Sequence, residues 1–567
     1  MKNWTCFLIA MACAALLAVF ASATPTPAPA NAPATGFSAV RAMADVREIA
    51  RAPHPTGSAE NARVRDYLTR RLQSLGMSVA SRTAPLDARS RKRLSQWRGS
   101  PADGVEATSL VATLPGRDPT KPALLLMAHH DSVWDSPGAG DDSAGVAAIL
   151  ETVRALRASG QPLERSLIVL FTDAEELGLD GAEDFFKRDP LREQVGVIIN
   201  LEARGGGGRA AMFETGNDNG AMIELFANSV RGPVATSVSV LVYNNMPNFT
   251  DYTVAKKQGV PGFNFAFLGR PAQYHSATAT PDALDAGSLQ DMGRQTLDLS
   301  RALLAVPTLP GKSPDLVFFD LFGLLLLSYA GWIGWLILAV TVAAYGYAAR
   351  GMVTVRDAER GVAIALAILL IGGLVLWLGN LVSGAGGAVN YYDRLAATPR
   401  LELQAALLCM ATAMCVAGLL LNRHSMTALV PATAIPFLLL AGLAQAFAPT
   451  AAFPLYLPLL LGGAGIAIAR WRPGAIGDWA MTITAAVGGG YLLTLAHALF
   501  EAVGQGMPYV AILPLALCAL LLMPLVPRVE RACAMKGALA LGVLAMLIAL
   551  WVRFDAVAAS VPSYSMS

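Results

Sequence analysis

The hydrophobic and polar positions divide the chain into an apolar leader, a mixed region and a long apolar region. Residues 1–23 carry one lysine, then about sixteen apolar residues, and end in Ala-Ser-Ala. This pattern indicates either a signal peptide or an uncleaved membrane anchor, because the apolar run is nearly long enough to cross a bilayer. Both alternatives place the following residues outside the cytoplasm. Residues 24–36, TPTPAPANAPATG, are expected to form an extended Pro/Ala linker.

Residues 37–310 have the pattern of an α/β domain. Three apolar runs, at 123–128, 166–172 and 196–201, are continuous rather than alternating, which is typical of parallel strands buried on both faces. Between the first two runs, apolar residues recur at helical spacing and form a stripe along one helix face, which predicts a βαβ unit. An earlier stripe of the same kind predicts a helix that begins near Ser58. We therefore predict a mostly parallel central sheet flanked by helices. The stripes are Val64, Leu68, Leu72 and Leu75, and Val146, Ile149, Leu150, Val153 and Leu156.

The region 316–555 is a series of long apolar segments, each near the ~20 residues that a helix needs to cross a bilayer. It predicts an all-α membrane domain of about eight transmembrane helices. The fifth segment is short and interrupted by proline. The predicted segments are 320–346, 361–382, 403–421, 427–447, 453–469, 479–500, 509–526 and 535–552.

The basic residues between these segments predict the orientation of the membrane domain. If the mixed domain lies outside, nine arginines and lysines fall on the cytoplasmic side and three on the outer side. This is the asymmetry that the positive-inside rule expects. The cytoplasmic set is Arg350, Arg356, Arg360, Arg423, Arg470, Arg472, Arg528, Arg531 and Lys536, and the outer set is Arg394, Arg400 and Arg553.

The composition sharpens this division. Hydrophobic residues make up 54% of the chain and charged residues 15%, and 63 of the 84 charged residues lie in 1–315. A wholly soluble enzyme and a disordered chain are therefore excluded, and a lipid bilayer is an expected partner. The net charge of +2 offers no reason to expect a nucleic acid. Residues 24–315 contain no cysteine, so a disulfide framework and a thiolate metal site are excluded there.

Histidines and acids follow each of the three predicted strands. The first strand is followed by His129-His130-Asp131, the second by Asp173-Ala174-Glu175-Glu176, and the third by Glu202. Two further segments add polar residues. They are the loop 138–145, with Asp141 and Asp142, and a later segment with Tyr274 and His275. Since sites in parallel sheets form beyond the carboxyl ends of strands, these side chains predict a metal site. A donor set of nitrogen and oxygen without sulfur favours Zn²⁺ in a hydrolytic site, with Mn²⁺ or Co²⁺ as alternatives.

The number of donors favours two zinc ions that share one carboxylate, because one tetrahedral zinc needs fewer ligands. Neighbouring residues on a strand point to opposite faces, so His129 and His130 are not both expected to face the site. Asp142 is an alternative to Asp141 as the shared carboxylate. His54 and Asp251 are interpreted as structural or pocket-lining residues.

Four runs of sequence together resemble a known enzyme family. They are AHHDSVWDSPGAGDDSAGVAAILE, FTDAEELGLDGAEDF, INLEARGGGG and YHSATATPD. They resemble the co-catalytic zinc aminopeptidases of the aminopeptidase Y type. The glutamate of INLEARG is similar to the membrane branch of that family, which includes endoplasmic reticulum metallopeptidase one (Fxna-like) and the vacuolar membrane proteases. The segment SATATPD lacks a Lys-Tyr-Asp that is frequent in that branch, which leaves substrate contacts open.

The resemblance implies a role for each candidate residue. His129 and Glu202 are implied to bind one zinc, Glu176 and His275 the other, and Asp141 to bridge the two. Asp131 is implied to orient His129, Glu175 to act as general base, and Tyr274 to stabilise the oxyanion.

The function expected from the sequence is therefore a membrane-anchored di-zinc peptidase that hydrolyses peptides outside the cytoplasm, with aminopeptidase activity implied by the resemblance. A bacterial inner membrane with the peptidase facing the periplasm is favoured, and a vacuolar or endoplasmic reticulum membrane is compatible. Two alternatives stay open at this point. One is a transporter or scaffold with a regulatory peptidase-like domain, and the other is a zinc enzyme of the glutaminyl cyclase type.

Overall fold

The computed structural model describes residues 2–387, 391–420, 426–527 and 530–555. Arg423, Arg528 and Ser567 lie outside the described residues. The chain divides into two compact units. The first comprises residues 23–328 together with 391–396, and the second comprises 2–22, 329–387 and the remaining described residues from 397 on.

A seven-stranded sheet forms the centre of the first unit, with strand order β1-β2-β4-β3-β5-β7-β6. The strands β4, β3, β5 and β7 are parallel to one another, whereas β1–β2, β2–β4 and β6–β7 pair antiparallel. This confirms the predicted α/β class with a mostly parallel sheet. The strands are β1 Ser78–Pro85, β2 Glu106–Leu114, β3 Ala123–His129, β4 Leu167–Thr172, β5 Val195–Ala203, β6 Ala211–Thr215 and β7 Gly262–Phe267.

Helices cover both faces of this sheet. Leu124 and Leu126 of β3 pack into the core on one face, and Leu125 and Met127 into the core on the other, and all four are fully buried. The unbroken apolar run of β3 follows from this double burial. The helices are α2 Ala39–Ile49, α3 Ala59–Ser74, α4 Ala88–Arg98, α5 Ser143–Ala158, α6 Glu175–Gly178, α7 Asp180–Arg188, α8 Gly220–Ser229, α9 Ser237–Asn244, α10 Asp251–Lys257 and α11 Ala286–Ala305.

The two helices predicted from their stripes begin at side-chain caps. Ser58 Oγ accepts a hydrogen bond from the Asn61 N–H at the start of α3, and an Asp142 carboxylate oxygen accepts one from the Gly145 N–H at the start of α5. Such caps satisfy a backbone donor that has no partner within the helix. The end of the loop before α5 is therefore held in place, and this loop carries Asp141.

The Pro/Ala segment 24–36 contains no helix or strand. It is nevertheless held against the first unit. The Ala28 N–H donates to Gln290 of α11 at 2.8 Å, and the Arg41 guanidinium donates to the Ala30 and Ala32 carbonyls. The segment is therefore docked along most of its length.

The start of the apolar region differs from the sequence prediction. The first membrane helix was expected to begin at residue 320. The chain there instead forms two paired strands, β8 Leu316–Leu321 and β9 Leu325–Ala330. Phe322 and Gly323 have positive φ angles in the turn between them, and the Asp320 carboxylate accepts the Gly323 N–H at 2.7 Å. This turn directs the chain back on itself, so the first apolar helix begins only at Ile333.

The second unit is helical. Among the described residues, eight helices are long and apolar enough to cross a membrane, including Trp4–Ser22, and Ile333–Ala349 is a shorter apolar helix. The predicted fifth segment is a helix despite Pro458. The helices are α1 Lys2–Ser22, α12 Ile333–Ala349, α13 Val355–Val382, α15 Thr398–Leu420, α16 Met426–Phe447, α17 Phe453–Trp471, α18 Ala475–Leu499, α19 Ile512–Leu522 and α20 Arg531–Phe554. The short helix α14, Tyr391–Ala396, belongs to the first unit.

Candidate metal centre

The parallel strands deliver the candidate residues to one edge of the sheet. His129 is the last residue of β3, Glu202 is near the end of β5, and Glu175 and Glu176 begin α6 directly after β4. His275 follows β7 after a short loop. Carboxyl ends of parallel strands share an edge, which is why residues distant in the chain lie together here.

One group of donors consists of His129, Asp141 and Glu202. His129 Nε2 lies 3.0 Å from Asp141 Oδ1 and 3.9 Å from Glu202 Oε2. The three side chains are buried, and their donor atoms lie within 4.8 Å of one another. This spacing allows all three to bind one metal ion.

The second group consists of Asp141, Glu176 and His275. His275 Nε2 lies 3.1 Å from Asp141 Oδ2 and 3.0 Å from Glu176 Oε1. These donors also lie within 4.8 Å of one another. Asp141 thus contributes one oxygen to each group, the arrangement that a bridging carboxylate requires. A third combination, of His129, Glu175 and Glu176, meets the same distance limit.

Asp131 connects the histidine of the first group to the start of α6. His129 Nδ1 lies 2.9 Å from the Asp131 carbonyl oxygen and 3.5 Å from Asp131 Oδ1. The Asp131 carboxylate also accepts the backbone N–H groups of Glu175 and Glu176, at 3.2 and 3.3 Å. Asp131 therefore holds the His129 ring through its carbonyl oxygen and the two adjacent glutamates through its carboxylate.

The glutamates of the cluster have raised pKa values. Burial raises the pKa of Glu202 to about 8, with a further contribution from the charge of Asp141, although His129 opposes the shift. Burial likewise raises the pKa of Glu175 well above its usual range, with added repulsion from Glu202 and Glu176. Several carboxylates are crowded where water cannot screen them.

His275 and Asp141, in contrast, have pKa shifts that favour their charged forms. Burial alone lowers the pKa of His275, but Glu176 and Asp141 outweigh it and raise that pKa to about 9. Burial alone raises the pKa of Asp141, but hydrogen bonds from His129 and His275 bring it below its usual range. The cluster as a whole has a surplus of negative groups around a small volume, which positive charge would stabilise.

The donor set fits divalent cations. Glu176 Oε1 lies 3.0 Å from His275 Nε2, yet it accepts no hydrogen bond of normal geometry from any residue that the structure describes. A buried carboxylate oxygen without a hydrogen-bond donor, beside the other donor atoms, suits a ligand of a cation. Two imidazoles and three carboxylates are ligands that zinc accepts in hydrolytic sites.

Comparison with known proteins identifies the domain that carries this cluster. Residues 109–300 match the model of Peptidase family M28. The chain contains an M28 peptidase domain. All eight residues predicted from the sequence lie within that range.

Relatives of the M28 domain include membrane proteases. The chain is 33% identical over 234 residues to the endoplasmic reticulum metallopeptidase 1 of Mus musculus, covering 40% of this chain and 26% of that protein. It is 36% identical over 258 residues to a vacuolar membrane protease of Candida dubliniensis, covering 45% of this chain and 27% of that protein. The aligned region therefore spans about a quarter of the length of these curated relatives.

Solved structures resemble the same half of the chain. An aminopeptidase from Aneurinibacillus sp. strain AM-1 aligns over 50% of this chain and 98% of its own, with 15% identity and a TM-score of 0.38. A glutaminyl cyclase of Porphyromonas gingivalis aligns over 47% of this chain and 98% of its own, with 21% identity and a TM-score of 0.37.

Three polar residues of the M28 domain lie beside the metal donors without belonging to the three donor groups. His130 is turned away from His129, with Nε2 3.1 Å from the Thr108 carbonyl oxygen. The Asp142 carboxylate caps α5. Asp251 accepts a hydrogen bond from the Thr172 hydroxyl, and burial raises its pKa to about 6. These positions agree with the interpretation of His130 and Asp251 as residues outside the ligand set.

Tyr274 lies directly beside a metal donor of the M28 domain. Its ring stacks on His275, with centroids 3.8 Å apart and planes 22° apart. The Arg204 guanidinium lies 6.0 Å from the centre of the Tyr274 ring.

Sequence reasoning missed a second tyrosine at this site. The hydroxyl of Tyr392 lies 3.2 Å from His275 Nδ1, and Tyr392 is 5% exposed. It belongs to α14, which lies in sequence between two long apolar helices. The only signal was the pair of tyrosines beside Asp393 and Arg394 in an otherwise apolar region, and a pair of this kind is also common at membrane interfaces.

Proposed function

We propose that this chain is a membrane-anchored di-zinc peptidase that hydrolyses peptides outside the cytoplasm as an aminopeptidase. The observation that carries the proposal is the position of Asp141, whose two oxygens lie 3.0 and 3.1 Å from His129 Nε2 and His275 Nε2. A carboxylate between two such groups is suited to bridging two metal ions. The M28 match and the membrane-protease relatives support peptide-bond hydrolysis.

The chemistry can be assigned to residues of this chain. Two zinc ions, held by His129, Asp141 and Glu202 and by Asp141, Glu176 and His275, would supply Lewis acids for the scissile carbonyl and promote the ionisation of water. Glu175 takes the proton from the attacking water and passes it to the leaving amine.

Two further residues complete the proposed mechanism. The Tyr274 hydroxyl donates a hydrogen bond to the oxyanion that forms from the peptide carbonyl. Asp131 is hydrogen-bonded to both the His129 ring and the first turn of α6. It therefore holds the base and the metal ligands in fixed relative positions.

The connection of the chain supports the proposed orientation. Residues 328 and 391 both belong to the first unit, and α12 and α13 lie between them in sequence. Two crossings return the chain to the side from which it left, as the predicted threading requires. The excess of basic residues in the connections assigned to the cytoplasm supports an outer location for the M28 domain. The favoured location is a bacterial inner membrane, with the domain in the periplasm.

Metal analysis of the purified full chain, combined with a peptide screen, tests this function. We expect two zinc ions per chain and hydrolysis of peptides with a free amino terminus, with no hydrolysis of the same peptides when the terminus is acetylated. Equal hydrolysis of both forms would contradict aminopeptidase action. One zinc per chain with cyclisation of amino-terminal glutamine would favour the cyclase alternative, and zinc-free protein without hydrolysis would favour a scaffold or transporter.

A further inference from the structure

The two predicted metal-binding histidines are supported in the same way on their outer side. Each directs Nε2 toward Asp141 and Nδ1 toward an oxygen atom behind it. For His129 the outer oxygen is the carbonyl of Asp131, at 2.9 Å. For His275 it is the hydroxyl of Tyr392, at 3.2 Å, from a residue 117 positions further along the chain.

Metal binding through Nε2 would fix the tautomer of both imidazoles. An imidazole that binds a metal through Nε2 carries its hydrogen on Nδ1. His275 Nδ1–H can then donate to the Tyr392 hydroxyl oxygen, just as His129 Nδ1–H donates to the Asp131 carbonyl. An outer acceptor of this kind sets the orientation of the ring and increases the basicity of the ligating nitrogen.

Aromatic packing further restrains the His275 ring. Tyr274 stacks on it, and the Tyr392 ring lies at a centroid distance of 5.7 Å and an angle of 39°. Tyr392 is almost completely buried, so few rotamers are open to it. These contacts place the hydroxyl of Tyr392 in a defined position relative to His275.

The neighbouring tyrosine, Tyr391, connects α14 to Arg204. The Arg204 guanidinium donates a hydrogen bond to the Tyr391 hydroxyl, and Arg204 lies two residues after Glu202. Tyr391 is 46% exposed and contacts no predicted metal ligand among its described hydrogen bonds and ring contacts. The two tyrosines of α14 therefore differ: one holds the segment to Arg204, and the other meets a metal ligand.

We propose that Tyr392 is a positioning residue that orients His275 for metal binding, so that the connection between α13 and α15 completes the peptidase site. This inference rests on the proposed di-zinc function. It assigns a role in metal binding to a residue that lies outside the 109–300 range of the M28 match.

The test compares two substitutions that each remove one hydroxyl from α14. In the full-length chain, Tyr392→Phe should weaken one of two zinc ions by about 10- to 100-fold in a chelator competition, because loss of an outer partner of a metal ligand has effects of that size. Tyr391→Phe should leave both zinc affinities within about threefold of the wild type. Replacing zinc with Co²⁺ supplies a second readout, since the visible absorption of one Co²⁺ should change only in Tyr392→Phe.

The outcomes separate this inference from the proposed function. If the wild type binds two zinc ions and Tyr392→Phe binds both with unchanged affinity and an unchanged Co²⁺ spectrum, the role of Tyr392 is wrong and the di-zinc function stands. If Tyr391→Phe weakens the same ion equally, α14 acts only as general support, and the role of the Tyr392 hydroxyl is also wrong. A wild-type chain that binds no divalent metal would overturn both proposals.

Discussion

Glu176 Oε1 lies 3.0 Å from Nε2 of His275. The adjacent residue, Glu175, has no comparably close contact with that histidine among the described ion pairs, and its pKa is raised well above the usual range by burial and by neighbouring acids. Two adjacent glutamates of one short helix thus have different surroundings. Different surroundings allow one to bind metal and the other to transfer protons.

Substitution of these glutamates separates the two roles. Glu175→Gln keeps the shape of the side chain but cannot accept a proton, so the variant should retain two zinc ions while kcat falls by about 10²- to 10⁴-fold. Glu176→Gln should lose affinity for one zinc, and excess zinc should recover part of its activity. Zinc content and steady-state kinetics check both variants. Loss of zinc in Glu175→Gln with full retention in Glu176→Gln would show that the roles are reversed.

Reporter fusions test the orientation of the membrane domain. A reporter placed after Ser567 should be active only in the outer compartment, and one inserted in the 350–360 loop only in the cytoplasm, because of the distribution of basic residues. Residues 350–354 connect α12 to α13, and residues 355–360 form the start of α13. Activity of the two reporters in the opposite compartments would exclude the proposed location of the catalytic domain.

A polar group within the apolar helices has a partner that the sequence did not indicate. His497 Nδ1 of α18 lies 2.8 Å from Glu402 Oε1 of α15, and its Nε2 lies 3.7 Å from Glu501 Oε2, four residues along. His497→Ala would leave two acids without this partner, so the midpoint of thermal unfolding in detergent should fall by several degrees. Thr494→Ala on the same helix is the control, because its hydroxyl bonds only to the local Gly490 carbonyl among the described contacts.

The variant His497→Ala, together with Glu501→Ala, also tests whether this cluster serves substrate or proton access. If it does, His497→Ala and Glu501→Ala should lower the hydrolysis of membrane-embedded substrates more than that of short soluble peptides. Unchanged expression and unchanged activity on both substrate types would restrict the cluster to helix packing.

A buried arginine at the opposite edge of the sheet provides a stability test that spares the metal site. Arg165 precedes β4, is 1% exposed, and donates to the carbonyls of Leu303 and Pro122 at 2.9 and 3.0 Å. Arg165→Met removes these charge-assisted hydrogen bonds and leaves buried carbonyl groups unpaired, so we expect a loss of about 2–4 kcal/mol in unfolding free energy. Denaturant unfolding followed by tryptophan fluorescence measures it. Zinc content at low temperature should stay unchanged; a loss of zinc would indicate that the effect spreads through the sheet.

Local sequence was sufficient to predict the helices and strands in which the pattern of apolar residues follows the pattern of buried positions. The stripe after Ser58 predicted α3, and the three continuous apolar runs predicted β3, β4 and β5, because strands covered on both faces need apolar residues at every position. The candidate metal donors were also accessible, since each predicted strand ends in a polar group and the ends of parallel strands share an edge. Exposed positions weaken the pattern in the edge strands β1 and β6, which were missed, and the interior strands β2 and β7 were missed as well.

Other features depended on contacts between distant parts of the chain. An apolar run such as 320–330 suits a membrane helix and a β-hairpin equally well, and the turn at Phe322 and Gly323 decides between them. Tyr392 resembles any interfacial tyrosine in sequence, and only the folding of α14 against the M28 domain brings its hydroxyl to His275, 117 residues away. The sequence by itself therefore determined the secondary structure of the sheet core and the chemical types of the donors. Tertiary packing alone decided which distant side chains support those donors, because such support depends on distances that no local pattern encodes.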